Sequence, residues 1–480
     1  MIVLHEKIDV ARPVNEAFAY ISDFRTAQEW DATAFAASKL TPGKVDVGTE
    51  FEVACELPVG SVKLLYTVTR LEPDRCIELH GTCGLFDVND VIQFGETASG
   101  THIDYRATFT FKGLLAAGEK VMRSGMERMG RESLQGMKTA LEDNFAAPTI
   151  GSSNRRADRL VLPGLARFSR LGYSHGRKQW LPVSAYMGDK HVVITGANAG
   201  LGLATARRLA EMGAELTLVI RNEQVAKPLV DQLRRETGND RIHVEIADLS
   251  LMAEVKRLTQ RLKRRGKAID VLVNNAGALF NPWGETAEGL EQSFALLLLS
   301  PYRLTEGLKP LLLKSQAPRV VNVVSGGMYS QQLEVGKLIA QPEGYSGSVA
   351  YARAKRALMV MTEQWAQDWA EEGIVVNAMH PGWADTPGVE SALPGFHKLT
   401  KKILRSPEEG ADTIVWLAAA TEAGKVSGKL FLDREPRTTY LLSSKVEADG
   451  EREALVDFLS NFSVAQHGSK EGTDSATLAY

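Results

Sequence analysis

The spacing of hydrophobic positions divides the chain into two stretches of different character. Up to residue 112, hydrophobic and polar residues mostly alternate in short runs that turn signals separate, which predicts antiparallel strands. From residue 189 onward, short β-branched runs are followed by helical stretches with apolar positions at the helical period. The second pattern is typical of a parallel sheet with helices on both faces. We therefore predict an α+β domain followed by a doubly wound α/β domain.

The first stretch, residues 1–147, has a defined order of elements. The pattern predicts a strand at Lys7–Val10, a helix at Pro13–Phe24, β-rich runs between Thr49 and Lys112, and a long helix at Leu114–Leu141. This order resembles the START/polyketide-cyclase (SRPBCC) superfamily, in which a curved sheet grips the last helix around an apolar cavity. The resemblance implies a helix-grip fold that binds a hydrophobic small molecule. It assigns no site residue, and any single methionine of the last helix is better explained as core.

The joint between the stretches, residues 148–188, is basic and amphipathic. It contains seven arginine and lysine residues but only one acidic residue, Asp158, and Leu, Phe and Trp residues alternate with the basic ones along the sequence. Two placements are open for it: its apolar face packs on the following domain, or it lies on an anionic membrane surface. We expect the first, because Pro163 and several glycines interrupt any long surface helix.

A glycine-rich turn opens the second domain, which we place at residues 189–462. A buried strand, Val192–Ile194, runs into the sequence TGANAGLG, and a helical pattern opens after Gly202. Glycine allows a tight turn and a close backbone approach to a pyrophosphate, and the following helix offers free N–H groups to the phosphates. The predicted phosphate-binding residues are Thr195, Gly196, Asn198, Gly200, Leu201 and Gly202.

The second strand of this domain, Leu216–Ile220, ends at Arg221. Dinucleotide folds often place an acid near this point for the adenosine ribose, and no acid stands there. An arginine can pair instead with a 2′-phosphate. We therefore predict NADP(H) in preference to NAD(H); the alternative is a surface arginine that touches nothing.

Later strands are each followed by polar or small residues. These are Asp248-Leu249, the sequence NNAG at Asn274–Gly277, Ser325, and Pro381-Gly382; Tyr351 and Lys355 open a helix in the sequence YARAK. Tyr351 and Lys355 are four residues apart and share one helical face. A nearby ammonium group favours a phenolate, so we expect the pKa of Tyr351 to be lowered towards neutral pH.

Together these landmarks resemble the short-chain dehydrogenase/reductase family, in particular its retinol-dehydrogenase-like branch. The resemblance implies a Rossmann domain and a nicotinamide-dependent oxidoreductase that interconverts a carbonyl and an alcohol on a hydrophobic small molecule. It implies that Ser325 polarises the carbonyl oxygen, that Tyr351 moves the proton, and that Lys355 assists. The further cofactor contacts that it implies are Asp248, Leu249, Asn275, Ala276, Gly277, Tyr351, Lys355, Pro381, Gly382 and Thr386.

One position departs from the family pattern. The family usually has an asparagine in the helix before the serine strand, where it holds a water in the proton relay, and Leu297 stands there. Ser300, one turn further on, is the candidate substitute. Either the enzyme works with a changed relay, or the domain is a nicotinamide-binding sensor or scaffold that catalyses poorly. We expect an enzyme, because Ser325, Tyr351 and Lys355 remain together.

The variable substrate lid of the family corresponds to Trp383–Ser406, where Trp383, Leu393, Phe396 and Leu399 predict an apolar site. A closing helix is predicted at Glu451–Phe462, followed by a polar tail at 463–480 that we expect to be disordered.

Composition narrows the remaining possibilities. The 480 residues carry a net charge of −3, which does not suggest a nucleic-acid partner. Three cysteines without metal-ligand spacing predict free thiols and no metal site. The N-terminus is charged too early for a signal peptide, and the longest apolar run, Phe294–Leu299, is too short to span a bilayer. We therefore expect a cytoplasmic protein that acts on a hydrophobic small molecule, with homo-oligomerisation left open.

Overall fold

The computed structural model describes most of the chain. The described residues are 1–31, 33–57, 60–113, 119–142, 147–150, 167–177, 180, 183, 187–385, 403–441 and 446–464. The predicted lid, apart from its ends, and most of the predicted tail and basic joint lie outside them.

The N-terminal domain is one antiparallel sheet of seven strands in the order β1-β7-β6-β5-β4-β3-β2. The strands are β1 (Ile2–Val10), β2 (Ala34–Lys39), β3 (Glu50–Leu57), β4 (Gly60–Glu72), β5 (Cys76–Thr82), β6 (Phe86–Thr97) and β7 (Gly100–Phe111). Three helices accompany them: α1 (Val14–Ser22), α2 (Ala27–Trp30) and α3 (Glu119–Leu141).

One face of this sheet packs against helices and forms the core. Along β6, buried residues alternate with more exposed ones, so that Val88 and Ile92 share the covered face. On α3, Met137 and Leu141 belong to the same core cluster. The predicted helix-grip order is therefore confirmed. Strand β2 and helix α2 were not predicted, because an alanine-rich strand and a four-residue helix carry weak patterns, and α1 ends two residues earlier than predicted.

The second domain is a doubly wound sheet of eight strands in the order β10-β9-β8-β11-β12-β13-β14-β15, parallel except for β15. The strands are β8 (His191–Thr195), β9 (Glu215–Ile220), β10 (Ile242–Ile246), β11 (Val271–Asn274), β12 (Arg319–Val323), β13 (Val375–Met379), β14 (Leu430–Leu432) and β15 (Glu435–Arg437). Strand order reverses between β8 and β11, and ligands of such sheets bind beyond the carboxyl ends at that point.

Helices connect these strands. They are α5 (Gly200–Glu211), α6 (Glu223–Thr237), α7 (Met252–Arg265), α8 (Gln292–Phe294), α9 (Ser300–Leu312), α10 (Gly347–Asp368), α11 (Pro407–Ala419) and α12 (Glu451–Asn461); α4 (Arg170–Arg177) precedes the sheet. The predicted α/β fold class is confirmed. Among the described helices, none is both long and apolar enough to cross a membrane.

A polar contact connects the two domains, which also approach each other closely at Gly43 and Gly238. Arg25, beside α2, donates from Nη2 to the carbonyl oxygen of Glu211 at 2.8 Å, at the end of α5. The same guanidinium is held by Asp23, whose Oδ2 lies 2.5 Å from Nη2. Burial opposes the charge of Asp23, but the charge and hydrogen bonds of Arg25 outweigh it and lower the pKa of the carboxyl. The contact is therefore made by a charged pair that is already organised within the N-terminal domain.

Candidate functional site

The glycine-rich turn between β8 and α5 brings backbone groups unusually close together. Gly196 has a φ of +65°, which side chains other than glycine rarely adopt. A Cβ on Gly202 would lie 2.2 Å from the carbonyl oxygen of Gly196 and 2.6 Å from Nδ2 of Asn275. The helix begins at Gly200 and not after Gly202 as predicted, so its first free N–H groups lie within the turn itself. The turn has the shape that a bound phosphate requires.

Thr195 links this turn to the sequence NNAG at the end of β11. Its hydroxyl donates to the carbonyl oxygen of Val273 at 3.2 Å and accepts from the backbone N–H groups of Asn275 and Ala276 at 2.9 and 3.0 Å. Asn275 returns a side-chain hydrogen bond to the carbonyl oxygen of Thr195 at 2.9 Å. The two segments that the sequence assigns to the cofactor are thus held as one rigid edge of the site.

Ser325, Tyr351 and Lys355 come together beyond β12. Ser325 begins the turn after that strand, where its hydroxyl oxygen accepts from the backbone N–H of Gly327 at 3.2 Å. The side chain of Ser325 interacts with the hydroxyl of Tyr351 and favours its phenolate form. Lys355 lies one turn further along α10, with Nζ 5.8 Å from the centre of the Tyr351 ring and 2.7 Å from the carbonyl oxygen of Val323, to which it donates. The three predicted catalytic residues therefore form one cluster.

Burial governs the electrostatics of this cluster. It lowers the pKa of Lys355, which is 3 % exposed, to about 8, because the charged amine has lost its hydration. Burial also raises the pKa of Tyr351 above its ordinary value, and the hydrogen bond with Ser325 offsets this only in part. The expectation that Lys355 lowers the pKa of Tyr351 is therefore wrong for this structure: the lysine is itself destabilised in its charged form, and desolvation of the phenolate outweighs its influence.

A buried arginine that the sequence analysis did not select holds the turn that carries Ser325. Arg356 follows Lys355 on α10 and is fully buried. Its guanidinium donates to the carbonyl oxygens of Met328, at 3.1 Å, and of Thr439, at 3.0 Å. An arginine among the apolar residues of a helix was the available signal for this positioning role.

Leu297 lies next to this cluster in a short π-helical segment, Ala295–Leu299, between α8 and α9. Its side chain is fully buried, and its Cδ2 lies 3.1 Å from the position that a Cβ on Gly277 would take. A cavity of about 10 Å³ is lined by Leu297, Ser300, Lys355 and Asn274, among others. The Oδ1 of Asn274 has no hydrogen-bond partner among the described residues. Such a cavity is about large enough for one water molecule.

The segment before the second domain reaches the same site. The backbone N–H of Trp383 donates to the carbonyl oxygen of Phe168 at 2.7 Å, and the Phe168 ring packs edge-on against His380 with centroids 4.7 Å apart. A Cβ on Gly326, the residue after Ser325, would lie 3.0 Å from the Phe168 ring. The described part of the basic joint therefore packs on the second domain, the placement that we expected. The ring of Phe168 lies beside the turn that carries Ser325.

Arg405 fixes this packing. It is 1 % exposed, and its guanidinium donates to both carboxylate oxygens of Asp433, at 2.5 and 2.9 Å, and to the backbone carbonyl of Phe168 at 3.1 Å. Nothing local in the sequence indicated Arg405 or Phe168, because their contact joins segments 237 residues apart.

The remaining predicted cofactor residues lie along the same edge of the sheet or close to it. Arg221 is exposed at the end of β9 and makes no ion pair with a described residue. Asp248 accepts from the hydroxyl of Ser250 at 2.7 Å, and Leu249 is buried. Asn198 is exposed, Leu201, Pro381 and Gly382 are half-buried, and Thr386 lies outside the described residues. Within the described chain, no three His, Cys, Asp or Glu residues are placed to hold a metal ion.

Comparison with known proteins adds independent findings. Residues 190–394 match the family described as short chain dehydrogenase, and residues 1–142 match the family described as polyketide cyclase / dehydrase and lipid transport. Human dehydrogenase/reductase SDR family member 12 is 39 % identical over 300 residues, which is 62 % of this chain and 94 % of the relative. Human polyprenol dehydrogenase is 31 % identical over 294 residues, or 59 % and 87 % of the two chains.

Among solved structures, L-sorbose reductase from Gluconobacter frateurii, complexed with NADPH and L-sorbose, aligns with 52 % of this chain and 95 % of its own. The identity is 25 % and the TM-score is 0.43.

Proposed function

The chain belongs to the short-chain dehydrogenase/reductase family, and we propose that it interconverts a carbonyl and an alcohol on a hydrophobic small molecule with NADP(H). It is a carbonyl/alcohol oxidoreductase of this family, joined to an N-terminal domain of the polyketide cyclase / dehydrase and lipid transport family. The observation that carries the proposal is the cluster of Ser325, Tyr351 and Lys355 beside the glycine-rich turn.

The residues around the turn fit a dinucleotide. A Cβ on Gly202 would collide with the backbone of Gly196 and the side chain of Asn275, so glycine at this position lets the helix pack closely on the strand, as the third glycine of a dinucleotide-binding turn does. Thr195, Gly196, Asn198, Gly200, Leu201 and Gly202 would hold the pyrophosphate, and the NNAG segment would line the cofactor on the other side. A bound nicotinamide supplies or accepts the hydride.

The chain's own residues handle the proton. The side chains of Ser325 and Tyr351 interact, so both hydroxyls can reach one substrate oxygen. In the reductive direction Tyr351 donates its proton to that oxygen while Ser325 stabilises the developing charge. Lys355, with a pKa of about 8, exchanges protons readily near neutral pH and can restore the proton of Tyr351. Alcohol oxidation uses the same groups in reverse.

Aromatic residues beside the catalytic turn support an apolar substrate. Phe168 and Tyr329 pack edge-on against the buried ring of His380, and Trp383 packs edge-on against Phe168. The pKa of His380 is lowered to about 3, first by burial and then by Arg405 and Arg437. A neutral imidazole among aromatic rings suits a hydrocarbon better than a charged group. Relatives named polyprenol dehydrogenase and retinol dehydrogenase support the same class of substrate.

The preference for NADP(H) rests on Arg221. It stands exposed at the end of β9, where a cofactor's adenosine ribose would lie, and no acid accompanies it in β9 after Glu215. A guanidinium can form a bidentate pair with a 2′-phosphate.

The second candidate function is a nicotinamide-binding sensor that converts substrate only very slowly. Leu297 is the one observation that favours it. Leucine offers no hydrogen bond where the family usually has asparagine. The intact cluster of three catalytic residues argues for the enzyme.

The test compares reduction of apolar aldehydes and ketones by NADPH in the wild-type protein and in Tyr351→Phe. We expect turnover in the wild type and a loss of at least about 10²-fold in the variant, the range for losing a general acid. Tyr302→Phe is the matched control, because it removes a hydroxyl from a buried ring that stacks on Trp365 on another helix. Tight NADPH binding without turnover on any substrate would support the sensor instead.

A further inference from the structure

A carboxyl group is buried inside the N-terminal domain. Asp90 lies in the middle of β6 and is 1 % exposed. The alternation of β6 places it on the same face as Val88 and Ile92, which belong to the core that α3 covers. A carboxyl in such a core is costly unless something compensates it.

Two tyrosines approach this carboxyl, and no described cation pairs with it. The hydroxyl of Tyr105 donates to Oδ1 of Asp90 at 2.9 Å. Oδ2 is inaccessible to solvent and has no hydrogen-bond partner among the described residues. Burial raises the pKa of Asp90 to about 7, although hydrogen bonds from Tyr105 and Tyr66 oppose this. The charged neighbour that contributes is Asp31, a second acid, which raises the pKa further.

The surrounding residues hold these groups in place. The ring of Tyr66 occupies the space next to Gly81, where a Cβ would lie 2.6 Å from its Cε1. Phe24 packs edge-on against Tyr66, with ring centroids 5.0 Å apart, and Trp30 packs edge-on against Tyr105 at 6.3 Å. The two hydroxyls therefore keep their positions around the carboxyl.

The second acid, Asp31, is already satisfied. Its Oδ1 accepts from the hydroxyl of Thr33 at 2.9 Å and from that of Ser133, on α3, at 3.0 Å. Asp31 therefore ties the loop after α2 to the helix that covers the sheet. Among these residues, Oδ2 of Asp90 is therefore the atom that can still accept or share a hydrogen bond.

We propose that Asp90, positioned by Tyr66 and Tyr105, binds the oxygen of an apolar aldehyde, ketone or alcohol inside the N-terminal domain. This inference rests on the proposed function, in which the second domain acts on a hydrophobic small molecule. Because Tyr105 occupies Oδ1, the ligand is bound at Oδ2. A protonated carboxyl donates to a carbonyl oxygen, and a carboxylate accepts from a hydroxyl. One site therefore recognises both forms of a molecule that the second domain interconverts.

The test measures binding of farnesal, farnesol and the hydrocarbon farnesene to the full chain by titration calorimetry. The protein carries Tyr351→Phe and no nicotinamide is added, so that no ligand is converted. We expect the oxygenated ligands to bind about tenfold more tightly than farnesene, the worth of one buried hydrogen bond. In Asp90→Leu that preference disappears while farnesene affinity is kept or increased.

Two further variants make the result interpretable. Asn89→Leu introduces the same side chain at the adjacent position on the opposite face of β6, and it should keep the preference. Asp90→Asn keeps the shape and one N–H donor, so it should still prefer farnesal to farnesene. If none of the three ligands binds, ligand binding by this domain is refuted. If all three bind equally, or the preference survives in Asp90→Leu, only the role of Asp90 is refuted.

Discussion

Replacing Lys355 with methionine should stabilise the protein while abolishing its activity. Burial lowers the pKa of this amine from 10.5 to about 8, so at pH 7 the folded protein holds a charge in an unfavourable place. The difference corresponds to about 3 kcal/mol of destabilisation. Losing the hydrogen bond to the Val323 carbonyl costs about 1 kcal/mol in return. The expected net gain at pH 7 is therefore about 2 kcal/mol, or a rise in Tm of about 5 °C for a domain of this size.

The pH dependence of this gain identifies its cause. Below pH 8 the lysine is charged in both the folded and the unfolded chain, and the penalty is fully present. Between pH 8 and 10.5 the folded protein holds a neutral amine while the unfolded chain still binds the proton, so the penalty shrinks. At pH 9.5 the remaining penalty of about 1.4 kcal/mol is close to the value of the lost hydrogen bond, and the gain should approach zero.

The assay is thermal unfolding followed by tryptophan fluorescence at pH 7 and pH 9.5, together with turnover of an apolar aldehyde. Tyr351→Phe is the control, since it inactivates the enzyme but keeps the buried amine, and its stability change should lack this pH dependence. A Lys355→Met protein that is less stable than the wild type at pH 7, or whose gain does not change with pH, would refute the reasoning.

Three further substitutions test other parts of the site. Arg221→Asp should raise the KM for NADPH at least about tenfold and lower that for NADH, as expected when a phosphate loses its cation; equal effects on both would argue against a 2′-phosphate contact. Phe168→Ala should raise the KM for long apolar substrates about tenfold, through about 1.5 kcal/mol of lost apolar contact, with the KM for NADPH unchanged. Leu297→Asn should alter kcat by less than about threefold, because the cavity beside Lys355 already offers room and an acceptor for one water. A gain above tenfold would show that the native relay is impaired.

The α/β domain was predictable because its central strands, such as β8 and β11, are buried on both faces and therefore read as continuous apolar runs. Strands β8 and β9 begin and end within one residue of the predicted bounds. The carboxyl ends of parallel strands meet at one edge of the sheet, and β11 and β12 pair in parallel, so Asn275 and Ser325 follow neighbouring strands at that edge. In this domain the local sequence pattern and the overall fold favour the same secondary structure.

Contacts between distant segments could not be predicted in this way. The packing of Phe168 beside the turn of Ser325 depends on how the joint folds back over the sheet, and no periodicity encodes that. Arg405 looked like one more basic residue after a variable segment, yet it is buried and paired with Asp433. Asp90 is an intermediate case. The alternation of β6 already placed it on the apolar side with Val88 and Ile92, but only the structure shows that Oδ2 has no partner there.

The spacing of Tyr351 and Lys355 correctly predicted that they share one helical face. It wrongly predicted that the pKa of Tyr351 is lowered. Both results have the same cause. A helical face that is turned towards a buried site brings the groups together and also removes their water. In water the ammonium would stabilise the phenolate; in this site, desolvation destabilises both charged forms. The amine of Lys355, with a pKa of about 8, can take up and release a proton near neutral pH, whereas the phenol of Tyr351 keeps its proton until it is transferred to the substrate oxygen. The pH dependence of turnover should therefore follow the amine of Lys355 more closely than the phenol of Tyr351.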